Sequence, residues 1–165
     1  MKGHGLDAVA ISSSTTVGYL TGLGFHLSER PVMAVFTVEG TPTMVVPELE
    51  SLKFQQAQFD VNLYTYGESV DSWQTAFSDA LSYLSSAKVG IEPCWLRVLE
   101  LRFLEGAASR ATLVSGEDAI AHLRMHKDVI ELDMMRTATR IAQDALKATL
   151  PGLKAGTTEI EAAST

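Results

Sequence analysis

Pro31-Val32-Met33-Ala34-Val35-Phe36-Thr37-Val38, followed by Glu39-Gly40 and then Thr41-Pro42-Thr43-Met44-Val45-Val46, is the stretch that decides the fold. β-Branched and apolar residues dominate both runs, and Glu39-Gly40 between them is a tight-turn signal. The pattern predicts two antiparallel strands joined as a hairpin. Upstream, Ala8-Val9-Ala10-Ile11 is continuously apolar and empties into Ser12-Ser13-Ser14-Thr15-Thr16, as a buried strand does when it ends in a polar loop. Downstream, strands are expected over residues 61–66, 88–91 and 112–114. Between and after them fall helical stretches at 48–58, 73–84, 95–105 and 117–122. Acids open the first of these, and Asp71 or Ser72 can cap the second, whose apolar face carries Trp73, Phe77, Leu81 and Leu84. Strands alternating with helices at this pace predict an α/β fold, a three-layer α/β/α sandwich whose central sheet is parallel except at the hairpin, and therefore mixed.

The chain has 165 residues, 46% of them hydrophobic and 20% charged, which is ordinary globular composition and enough for one well-cored domain. A net charge of −7 with scattered lysines and arginines excludes a basic stripe for nucleic acid. The start, Met1-Lys2-Gly3-His4-Gly5, lacks the apolar core of a signal peptide, and no apolar run reaches the length of a membrane span. A single cysteine, Cys94, allows no internal disulfide, which suits a reducing cytoplasm; without a neighbouring cation in sequence it reads as a buried or incidental thiol.

The C-terminal part reads differently. Asp128 with Glu131 forms a capping box, and Ile130, Met134, Ala138, Ile141 and Ala145 recur at helical spacing to make one apolar face. Leu150-Pro151-Gly152 ends that helix, and Thr158-Glu159-Ile160-Glu161 starts another shortly before Thr165. Residues 123–127 show neither strand pattern nor helix cap, which sets the expected division into residues 1–122 and residues 123–165.

Tyr19-Leu20-Thr21-Gly22, Leu123-Arg124-Met125-His126-Lys127-Asp128-Val129-Ile130-Glu131-Leu132 and Gly156-Thr157-Thr158-Glu159-Ile160-Glu161 occur in that order. With Glu29-Arg30-Pro31 and Val45-Val46-Pro47-Glu48-Leu49-Glu50, they resemble the creatinase/prolidase/Xaa-Pro aminopeptidase family of pita-bread hydrolases over nearly the whole chain. The resemblance implies a ribonuclease-H-like N-terminal domain followed by the linker and first helices of a truncated catalytic domain. It also implies a homodimer acting on peptide substrates, with two divalent metal ions (Mn, Co or Zn) held by residues downstream of this chain. On that view the chain carries no catalytic and no metal-binding residue, and its parent is a hydrolase. Its own roles are dimerisation, contact with the missing catalytic domain and walling of the substrate cleft. A creatinase-type amidinohydrolase and a catalytically inactive peptide-binding module remain alternatives, since the deciding ligands lie downstream.

Candidate chemistry within the chain is sparse. His122 and His126 are four apart, a metal-ligand spacing on a helix, but they straddle the expected linker with no third ligand in sequence. His4 and His26 are isolated. Gly22-Leu23-Gly24 lacks the third glycine of a dinucleotide loop, because Leu27 stands there, and reads as a turn. The run Ser12–Thr16 lies off the carboxyl end of a strand, where α/β sheets bind ligands, and is equally suited to capping the next turn. Arg30 is the one residue with a functional reading. In the creatinase branch of the family, an arginine from this loop reaches the partner subunit's active site and holds a substrate carboxylate, and aligning Tyr19 and Gly22 places Arg30 on it. The other role open to Arg30 is that of a solvated arginine beside Glu29.

Overall fold

In the computed structural model, which describes residues 1–164, the hairpin forms between β2 (Met33–Thr37) and β3 (Thr43–Pro47), with Met33 opposite Val45 and Val35 opposite Thr43. Gly40 takes φ 110°, a conformation only glycine adopts without strain, and the Thr37 hydroxyl donates to the Glu39 carbonyl at 2.6 Å inside the turn. Strand β1 (Ala8–Ser12) pairs antiparallel with β2 and parallel with β5 (Lys88–Ile91); β5 continues to β6 (Thr112–Ser115), and β3 pairs parallel with β4 (Asn62–Tyr66). The six-stranded sheet therefore runs β4-β3-β2-β1-β5-β6, and β2 alone opposes the rest.

Side-chain alternation along β1 divides the core in two. Ala8 and Ala10 face α2 (Val70–Leu81), the 3-10 turn Ser82–Leu84 after it and α3 (Val98–Ala107), where Phe77, Leu81, Leu84 and Leu104 are buried; Val9 and Ile11 join a second cluster with Val17, Ala34, Met44 and Ile120. Val17 lies on α1 (Thr15–Thr21) and Ile120 on α4 (Glu117–Met125), so helices cover both faces in three layers. Each fully buried large apolar side chain contributes about 1.5–3 kcal/mol. Between β5 and β6 the backbones meet closely: a Cβ on Gly90 would stand 3.0 Å from the Gly116 Cα and 2.8 Å from the Leu6 Cδ1.

Several elements depart from the periodicity. Residues 15–21, for which the sequence predicts no helix, form α1: Ser14 caps it by accepting from the Thr16 N–H, and Gly22 closes it at φ 71°. Seven residues with two of them buried are too few for a helical period to register. The helix expected at 48–58 is a 3-10 helix, Glu48–Gln56, with neither a side-chain cap nor a buried residue to favour an α turn. Helix α2 begins at Val70 behind Ser69, placing Asp71 and Ser72 in its first turn and not at the cap. Helix α3 begins at Val98 because Arg97 is extended at its N-cap, which leaves Trp95 in the preceding turn.

The chain divides into two compact units, Met1–Leu123 and the residues from Arg124 on. Helix α4 continues to Met125, so the first part of segment 123–127 is helical even though its sequence carries no cap. In the second unit α5 (Val129–Thr149) and α6 (Glu159–Ala163) both start with complete capping boxes, Asp128 with Glu131 and Thr158 with Glu161. The apolar face of α5 is not buried: Ile130, Met134 and Ile141 are each about two-thirds exposed, and no residue of the helix is buried. None of the helices is long and apolar enough to cross a membrane among the described residues.

Candidate functional site

The loop between α1 and β2 carries Arg30, and two side chains from distant elements grip its backbone on either side of that residue. The Arg97 Nη1 donates to the Ser28 carbonyl, and the Tyr66 hydroxyl donates to the Pro31 carbonyl at 2.6 Å. The Arg30 N–H adds a local bond to the Ser28 Oγ at 3.2 Å. The loop backbone on both sides of Arg30 is thus held by groups from β4 and the start of α3.

Each grip is itself anchored. Glu100, on the first turn of α3, is fully buried, and its carboxylate accepts from the Arg97 Nε at 2.9 and 3.0 Å and from the Arg97 Nη2. A bidentate guanidinium with a further carbonyl acceptor satisfies a buried charge that would otherwise be costly. The Glu100 hydrogen bond raises the Arg97 pKa above its ordinary value, against the opposing effect of burial. Tyr66 is buried beside Trp73, ring centroids 5.2 Å apart, and desolvation pushes its phenol well above the usual tyrosine range while Arg30 pulls the other way.

Arg30 lines a cavity of about 320 Å³ with Pro47, Tyr66, Gly67, Glu48 and Glu68. Its Nη2 donates to the Glu68 Oε2 at 2.7 Å, while its Nε stands 3.9 Å from Glu29, an ion pair without a hydrogen bond. The expected pairing with Glu29 is therefore secondary to one with Glu68, and the arginine is only about a quarter exposed. A guanidinium with a single side-chain hydrogen bond retains donors for a planar, bidentate acceptor.

Three hydroxyls of the run are spoken for internally. Ser14 donates to one oxygen of Glu92 at 2.8 Å and Thr16 to the other at 2.6 Å, and Ser12 donates to the Trp95 carbonyl at 3.0 Å. Each hydroxyl has one proton, so these donors are committed to a buried carboxylate and a backbone acceptor, not to a ligand. Gly22-Leu23-Gly24 follows a helix and not a strand; Gly22 is its left-handed C-cap, donating to the Gly18 carbonyl at 2.9 Å. Cys94 is exposed, which leaves the incidental and not the buried alternative, and its thiol donates to the Glu117 Oε1 at 3.4 Å; the hydrogen bond and charge of Glu117 raise its pKa. His122 lies on α4 and His126 beyond its end, and His122 meets His4, ring centroids 6.0 Å apart. His26 is exposed. Among the described residues no three His, Cys, Asp or Glu side chains converge as a metal site would require.

Arg97, Glu100, Tyr66, Glu68 and Glu92 escaped the sequence reading. A local signal existed for the first two, an Arg and a Glu three apart at a helix start, and for Glu92, an acid directly after a strand. Nothing local joins Tyr66 or Glu68 to a loop more than thirty residues earlier.

The domain is a three-layer α/β fold with a mixed six-stranded sheet in which β2 alone runs antiparallel. Residues 1–126 match the model of the Creatinase/Prolidase N-terminal domain, and the chain belongs to that family. It is similar to the Xaa-Pro dipeptidase of Lactobacillus delbrueckii subsp. lactis, 26% identical over 165 residues that cover 96% of this chain and 44% of that protein. Among solved structures it resembles dipeptidase PepE from Mycobacterium ulcerans, with a TM-score of 0.77 at 22% identity, covering 99% of this chain and 44% of that one. The prolidase from Pyrococcus horikoshii OT3 gives a TM-score of 0.71 at 24% identity, with 99% and 44% covered. The chain thus spans a little under half the length of the curated relatives it matches.

Proposed function

We propose that this domain serves an Xaa-Pro dipeptidase or aminopeptidase-like metallohydrolase of the cytoplasm as a non-catalytic wall of the substrate cleft and as part of a homodimer interface. The observation that carries this reading is the clamped loop: Arg30 is presented at a cavity by backbone grips from Arg97 and Tyr66, with donors left for a carboxylate. In that role Arg30 reaches the partner subunit's cleft and receives the carboxylate of a short peptide. A guanidinium–carboxylate hydrogen bond of this kind is worth about 1.5–3 kcal/mol. Among the described residues no group of side chains fits a two-metal centre, and on this reading the divalent ions, which would activate water for peptide hydrolysis, are held by residues outside this chain. The exposed apolar face of α5, with Ile130, Met134 and Ile141, is the surface this reading assigns to the catalytic portion.

The test uses the longer protein that joins this domain to a catalytic portion. Arg30→Ala subunits are mixed with subunits inactivated at a metal ligand, and hybrid dimers are assayed on an Xaa-Pro dipeptide. The intact centre of the hybrid lies in the Arg30→Ala subunit and is served by the other subunit's Arg30, so activity close to half the wild-type value per dimer is expected. Hybrids as impaired as the Arg30→Ala homodimer would show that Arg30 does not act across the interface.

A further inference from the structure

The acceptor that Arg30 already holds has a consequence for what the cavity admits. Glu68 sits in the short link between β4 and α2, its side chain is 80% exposed, and it contributes one oxygen to one guanidinium nitrogen at 2.7 Å. An exposed, monodentate ion pair on a loop is weakly held, because both partners remain hydrated and the glutamate loses rotamer freedom. Arg30 is the less exposed member at 27%, and its loop is clamped on both sides, so Glu68 is the partner that moves. The link itself stays in place: the Gly67 carbonyl accepts from the Trp73 indole N–H at 2.9 Å. The carboxylate can therefore swing away without displacing the cavity wall.

We propose that Glu68 is an internal competitor for the carboxylate that Arg30 receives, and that it sets the charge selectivity of the cavity. This rests on the reading of Arg30 as a carboxylate receptor. A ligand carboxylate that engages two guanidinium nitrogens displaces the single bond of Glu68. Glu68 released into solvent then stands beside the ligand, with Glu48 on the same cavity lining and Glu29 next in sequence. Three acids about one arginine disfavour a second negative charge on the ligand, whereas a zwitterion with no net charge meets no such penalty. The cavity accordingly selects monocarboxylates of zero net charge over dianions.

The apparent affinity of a site is reduced by the fraction of molecules in which it is blocked. For an exposed ion pair that reduction is about two- to sixfold. The experiment titrates the 165-residue chain, wild type, Glu68→Gln and Arg30→Ala, with glycyl-proline and separately with succinate, following the Arg30 Nε–H resonance and the Gly67 amide by NMR. Thermal melts verify that the variants fold. Glu68→Gln is expected to bind glycyl-proline about two- to sixfold more tightly than wild type, and succinate to gain by a larger factor. Equal affinities of wild type and Glu68→Gln, with binding lost in Arg30→Ala, would overturn the competitor while leaving Arg30 as receptor. Gly67 shifts that persist in Arg30→Ala, or no shift in any of the three proteins, would overturn the competitor, because the cavity would then hold no carboxylate on Arg30; the hybrid-dimer assay separately decides whether Arg30 acts across the interface.

Discussion

Thr16 and Glu92 lie 76 residues apart in sequence, yet the threonine hydroxyl donates to the glutamate carboxylate at 2.6 Å, tying the first turn of α1 to the carboxyl end of β5. Ser14 takes the other oxygen at 2.8 Å. A buried carboxylate that loses a donor keeps its desolvation penalty without compensation, so Thr16→Val should destabilise the domain by about 1–3 kcal/mol. Chemical denaturation of wild type and variant measures this; an unchanged midpoint would show that water replaces the hydroxyl without loss.

The Arg97–Glu100 pair makes a sharper prediction. Arg97→Met strands a fully buried carboxylate and should cost about 3–5 kcal/mol, whereas Arg97→Met combined with Glu100→Met removes both charges and should recover most of that loss. Neither variant restores the bond to the Ser28 carbonyl, so amide exchange near Arg30 should quicken in both. A double variant no more stable than the single one would contradict this account of the pair.

Tyr66 predicts behaviour in alkali. Burial raises its folded-state pKa above the unfolded value of about 10, so above that pH the unfolded chain loses the phenolic proton before the folded one does. The folded state then binds more protons, and stability that is complete below pH about 10 falls as pH rises. Tyr66→Phe should flatten that decline and, by leaving the Pro31 carbonyl without its donor, cost about 0.5–1.5 kcal/mol at neutral pH. Denaturation series at neutral pH and between pH 9 and 11 separate the two effects.

Cys94 should react sluggishly despite its exposure. Glu117 accepts from the thiol and adds a negative charge, raising the pKa and lowering the thiolate fraction at a given pH. The pH–rate profile of alkylation by iodoacetamide should therefore shift to lower pH in Glu117→Gln, with faster reaction at pH 8. Identical profiles would remove Glu117 as the cause.

How much of this was legible in the chain follows the range of each interaction. The Glu39-Gly40 turn, the strand runs around it and the capping boxes at Asp128 and Thr158 depend on residues a few positions apart, and the structure reproduces them. Even close to home the reading failed where an element was too short to show a period, as in α1, or lacked an apolar face to hold an α turn, as at Glu48–Gln56.

The site depended on something else. The family resemblance drew attention to Arg30, whose place beside Glu29 and Pro31 reads by itself as a solvated turn arginine, and the sequence could not supply the residues that hold its loop. Arg97 reaches Ser28 across 69 positions, Tyr66 reaches Pro31 across 35, and Glu68 reaches Arg30 across 38. Those separations close only when β4 pairs beside β3 and α3 packs against α2. Local propensities and caps determined which segments became strands and helices. The tertiary structure decided which polar groups met, because a buried donor or acceptor must find its partner wherever the packed layers bring one within about 3 Å.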